Sequence, residues 1–158
     1  MKSLKLSLAV IAALGLVACK SSTEEQVQQL QQTQEQMNTK ASQNLDHAKI
    51  LDDNADKFTK MADQLQSQAD AMNKEVQELA QAYAQFDDAD SDDAVAIRER
   101  KVTATQKAID LQEQVNKYKN QAADATSQAN DLKATANTEA NEAQELAEKI
   151  KTLQSTEN

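Results

Sequence analysis

The sequence predicts an all-α fold, a long antiparallel two-helix coiled-coil hairpin. Three observations lead there. Apolar residues recur with a 3-4 spacing along nearly the whole chain. Gly occurs once and Pro is absent. The heptad phase breaks once, at the acidic stretch Asp87-Asp88-Ala89-Asp90-Ser91-Asp92-Asp93.

Composition sets the limits. Of the 158 residues only 3% are aromatic. Large apolar side chains supply most of the area a globular core buries, so this chain lacks the material for a wide one. The missing Gly and Pro argue against a sheet protein with many tight turns. Ala, Gln, Lys, Glu and Leu at a 3.5-residue period is the profile of long helices. The length suits one domain.

The first heptad segment covers residues 27–86. With Val27 as an a position, the a residues are Val27, Gln34, Ala41, Ala48, Ala55, Ala62, Ala69, Val76 and Tyr83. The d residues are Leu30, Met37, Asn44, Leu51, Phe58, Leu65, Met72, Leu79 and Phe86. The spacing never slips, which marks a coiled-coil seam. The second segment covers residues 94–154, with a residues from Ala94 to Ile150 and d residues from Ile97 to Leu153. Between the segments, Phe86, Asp90 and Ala94 make two steps of four, a stutter or a turn.

A turn is favoured by what happens when the chain is folded at Asp90. Every a residue of one segment then meets a d residue of the other. Phe86 meets Ala94, Met72 meets Ala108, Ala69 meets Leu111, Leu51 meets Ala129 and Met37 meets Ala143. Large against small keeps the helix separation even. Lys101 faces Leu79, where its stem can lie along the seam. Asn44 faces Ala136 and Glu139 faces Ala41, polar sites that would fix register. The competing architecture is a continuous helix in a parallel oligomeric coiled coil, which has no use for mirrored size matching.

Residues 87–93 are read as the acidic turn. Ser91 is placed as the N-cap of the second helix, with Asp92 and Asp93 in its first turn. Asp88, Asp90, Asp92 and Glu99 also resemble the ligand spacing of an EF-hand calcium loop. Asp93 stands where that loop needs Gly for its bend. The calcium reading therefore competes with that of a solvated turn carrying capping acids.

Residues 1–18 read as a signal peptide, with Lys2 and Lys5 before an apolar run from Leu6 to Val17. The run is shorter than the roughly 20 residues a membrane span needs. Leu16-Val17-Ala18-Cys19 resembles the lipobox of bacterial lipoproteins. That resemblance implies acylation of Cys19, with chains such as palmitate, as the first mature residue. Lys20 and Ser21 follow, in place of the Asp that favours inner-membrane retention, so the resemblance implies the outer membrane, on its periplasmic or surface face. Residues 19–26 then form the lipidated Cys and a short linker, and residues 155–158 a polar tail. The lipobox and heptads together resemble the murein lipoprotein and related alanine-zipper lipoproteins. Those proteins attach to peptidoglycan through a C-terminal Lys; this chain ends Ser155-Thr156-Glu157-Asn158, so attachment of that kind is not implied.

The remaining features bound function. The formal charge is -9, and loss of Lys2 and Lys5 would leave 15 basic against 26 acidic residues, or -11. Such a surface repels nucleic acid and anionic head groups. The one Cys leaves no internal disulfide, and the one Gly, in the signal segment, rules out a Gly-rich phosphate loop. His47 stands alone, without metal-ligand partners, and Tyr83 and Tyr118 fall at seam positions. Val95, Val102 and Ile109 form a second stripe one heptad apart. It is read either as extra burial against the other arm or as a candidate interface for a protein partner or a second hairpin. The expectation is a non-enzymatic, lipid-anchored spacer, tether or docking surface of the cell envelope, with no cofactor and no small-molecule substrate. The alternatives are a lipoprotein that recognises a protein through its acidic tip and a calcium-responsive hairpin.

Overall fold

The computed structural model describes residues 22–155, and the signal segment, Cys19 and the last three residues lie outside that range. The described chain is a helical hairpin. Helix α1 spans Thr23–Tyr83 and helix α2 spans Asp92–Ser155. No described residue lies in a strand.

Helix α1 begins four residues before the apolar pattern does. Ser22 caps it: its Oγ accepts from the Glu25 amide at 3.4 Å, and its carbonyl accepts from the Gln26 amide at 3.1 Å. Glu24 and Glu25 occupy the first turn, where the helix dipole favours carboxylates. The expected linker through residue 26 is therefore partly helix. The Ser22-Thr23-Glu24-Glu25 spacing of a capping box was its signal.

The other end of α1 is also corrected, from residue 86 to Tyr83. After Ala84 donates to the Ala80 carbonyl, the chain tightens: Gln85 donates to Ala82 and Phe86 to Tyr83. The last turn of α1 carries no basic residue. Continuing the helix would bring Asp87 and Asp88 to its negative C-terminal end, which is unfavourable. Phe86, placed by the heptad on the helix, stands past its end but stays half-buried.

Within both helices Thr hydroxyls bond to their own helix, one turn back. Thr103 Oγ1 donates to the Glu99 carbonyl at 3.1 Å, and Thr39, Thr59 and Thr126 make the same bond one turn back.

The hairpin divides into two compact units. One comprises residues 46–132 and contains the turn. Its buried residues are Ala48, Ala55, Ala62, Ala69 and Leu79 on α1, and Ala94, Ala104, Ala108, Val115, Ala125 and Ala129 on α2. All sit at a or d. Leu51, Phe58, Leu65, Met72, Leu111 and Tyr118, also at a or d, are half-buried. A two-helix seam is too thin to enclose a large side chain on every side, so the large residues lie over the small ones and keep an outer edge open. The Phe58 and Tyr118 rings stack with centroids 6.1 Å apart. Glu75 and Arg100 face each other across the flank at 3.7 Å.

The second unit contains residues 22–45 and 133–155 of the described chain. Ala41, Ala136, Ala143, Leu146 and Ile150 are buried there. Asn44 Nδ2 donates to Glu139 Oε2 at 2.8 Å, a partly buried bond between the helices. The sequence placed each of these side chains opposite an alanine one layer apart. In the structure they reach diagonally and satisfy each other. This bond, the Phe58–Tyr118 stack and the Glu75–Arg100 pair all lie within a few residues of the predicted register.

Two outcomes follow from this packing. Ala129, fully buried, has no room for a larger side chain. Ala129→Leu should lower stability by about 1–3 kcal/mol through overpacking. Urea unfolding followed by circular dichroism checks it. A double-mutant cycle on Asn44→Ala and Glu139→Ala should give a coupling of about 1 kcal/mol, and additive effects would mean the bond contributes nothing.

Candidate functional site at the turn and on the outer face of α2

The turn is built by two side chains. Asp88 Oδ1 accepts from the Asp90 amide at 3.0 Å, and the Asp88 carbonyl accepts from the Ser91 hydroxyl at 2.9 Å. The same Ser91 oxygen accepts from the Ala94 amide at 3.4 Å, while the Ser91 carbonyl takes the Val95 amide at 3.0 Å. Ser91 is thus the N-cap expected from the sequence, with Asp92 and Asp93 in the first turn of α2. The Ser91 hydroxyl ties the loop to the helix it starts. No residue of the turn has a positive φ, so Gly is not needed there.

Asp87, Asp88, Asp90, Asp92 and Asp93 all remain exposed. They form an acidic crown, but their carboxylates do not converge. Among the described residues no group of three or more His, Cys, Asp or Glu is placed to hold a metal ion. In this structure Asp88, Asp90, Asp92 and Glu99 are not gathered as the ligands of a calcium loop would be. Asp88 is spent on the turn, Asp92 opens the helix, and Glu99 lies two turns further along it. A straight helix cannot bring a residue at that distance back to the loop, as an EF-hand does by wrapping around Gly.

The second stripe is where the structure departs most from one of the two readings made of it. Val95 is half-buried, but Val102 is 65% exposed and Ile109 48% exposed. Beyond Val95 the stripe is therefore not extra packing against the other arm. Its b positions face away from the seam, at an angle that a two-helix coil cannot cover.

Tyr83 and Tyr118 are half-buried at the seam, and Tyr118 stacks on Phe58. His47 is exposed. Cys19 lies outside the described residues. Compared with family models, curated proteins and solved structures, the chain matches none. No helix among the described residues is long and apolar enough to cross a membrane.

Next to the stripe, on the side of α2 that carries Glu99, Glu75, Glu99, Arg100, Thr103 and Lys107 line a shallow open groove over Ala104 and Met72. The sequence did not single it out. It is a consequence of Ala104 being small: the flanking side chains stand above a low floor. Its chemistry is mixed, with Arg100 already paired to Glu75.

The capping arrangement has a direct test. Ser91→Ala removes the hydroxyl that serves both Asp88 and Ala94, and should cost about 1 kcal/mol in unfolding free energy. Ser91→Asp should retain most of it, because a carboxylate still accepts from the helix amide. Equal losses for both would show that the cap does not govern the turn.

Proposed function

We propose that this chain is a non-enzymatic lipoprotein of the bacterial envelope, anchored through acylated Cys19, whose coiled-coil hairpin serves as a spacer, tether or docking surface. The observation that carries the reading is the adjacency of two features in the sequence. Leu16-Val17-Ala18-Cys19 closes an apolar segment headed by Lys2 and Lys5, and only three residues separate Cys19 from the start of helix at Thr23. An anchored Cys would thus pass its attachment almost directly to a helix, with little slack between. Each buried methylene of an acyl chain contributes about 0.8 kcal/mol, and several chains together make release negligible.

The placement of apolar residues supports a mechanical or recognitional role. The buried positions serve the seam between the helices, and the side chains that remain outside are largely polar or charged. The exposed acids of the turn and the stripe on α2 are the surfaces such a protein would offer. The outer membrane is the compartment this reading assigns, since Lys20 and Ser21 follow the Cys.

Radiolabelled palmitate should enter the wild-type chain expressed in a Gram-negative host and should be absent from Cys19→Ser. The wild-type chain should sediment with outer-membrane fractions. Retention of label by the Cys19→Ser variant, or absence of label from the wild type, would overturn the assignment.

A further inference from the structure

We infer that the outer face of α2 is a seat for a second copy of this chain, packed parallel and in register. The inference rests on the anchored-hairpin reading, because two hairpins held by one membrane present their α2 helices in the same direction. The surface involved lies wholly in the unit of residues 46–132.

The first observation is the stripe itself. Val95, Val102 and Ile109 repeat every seven residues, so the layers lie about 10.5 Å apart along the helix. Two of the three are among the exposed large apolar side chains. A seven-residue repeat on a solvent face matches another helix carrying the same repeat, and in a parallel pair each stripe residue meets its own equivalent.

The second observation is the charge on either side of the stripe. Arg98 and Glu99 are exposed and make no ion pair among the described residues. Viewed down α2, they lie about 40–60° to opposite sides of the Val95–Val102 line, as 3.6 residues per turn requires. In a parallel helix pair, opposite flanks face each other. Arg98 then lies against Glu99 of the second copy, and Glu99 against its Arg98. In an antiparallel pair each flank faces its own kind, and neither charge finds the other. The charge pattern therefore selects both the partner and its direction, as flanking charges do in coiled coils.

Magnitude decides how tight this association is. Three apolar residues per copy fall far below the roughly 20–30 residues a side of a standard stable interface. The exposed acids of the two turns also come near one another and repel. The pairing is weak in dilute solution and becomes significant where anchoring concentrates the chains.

The test exchanges the charges. Donor- and acceptor-labelled copies of the full chain are placed together in phospholipid vesicles, where anchoring concentrates them, and pairing is read by energy transfer. Wild-type chains should pair. Val102→Asp should weaken pairing about tenfold or more. Arg98→Glu alone and Glu99→Arg alone should each weaken it, while a mixture of the two should pair like wild type. All three positions are solvent-facing, so thermal melts by circular dichroism should be unchanged and separate loss of pairing from loss of fold.

Absence of transfer in the wild type would overturn the inference. So would single variants that pair normally, or a mixture no better than its parts. A photoreactive residue at position 102 that couples in native envelopes only to other proteins would also refute it. The anchoring reading stands or falls separately, on palmitate labelling at Cys19.

Discussion

The structure depends on small side chains lying beneath large ones. Two helices cannot surround a leucine or a phenylalanine, so the seam gains its dry interior by placing alanines where the backbones approach and letting bulkier residues arch over them. Ala48, Ala69, Ala94 and Ala129 are fully buried while Leu51, Phe58 and Leu111 keep an open edge. Burial of this kind yields little apolar area per layer, and stability must accumulate over many layers. Length is therefore a requirement of this fold, and the absence of Pro and Gly from both helices is what allows it.

A seam rich in alanine specifies register weakly, because one alanine layer resembles the next. Three features add specificity: the alternation of sizes, the stacked pair of Phe58 and Tyr118, and the bond between Asn44 and Glu139. The last places a carboxylate and an amide where apolar groups would pack more favourably. A shift of one heptad would separate them and leave both partly buried without partners, which disfavours the slipped alternatives. The polar pair acts chiefly against wrong alignments.

The turn shows the same economy. One serine and one aspartate close the loop with three side-chain hydrogen bonds. The acids are distributed by helix polarity: Asp92 and Asp93 sit at the favourable start of α2, and α1 stops before Asp87 and Asp88 can oppose its end. That asymmetry explains why the loop is displaced toward α1 relative to the acidic run.

Much of this was legible in the residues. Heptad spacing and composition determine that the chain is helical, and the phase break with mirrored sizes determines that it folds back on itself; all the buried residues fall at predicted a or d positions. The cap at Ser91 follows from its side chain and from the acids after it. Helix ends were less legible, since apolar periodicity reports where a helix packs and not where its backbone bonding starts: Ser22 begins α1 before any seam exists. Three things belonged to the tertiary structure alone. Asn44 and Glu139 join diagonally because side-chain reach, not register, decides which polar atoms meet. Glu99 stands apart from the acids of the turn because the helix that opens at Asp92 carries it two turns away. Val102 and Ile109 face solvent because the angle at which two helices meet sets how far burial extends around each, and a sequence pattern does not contain that angle.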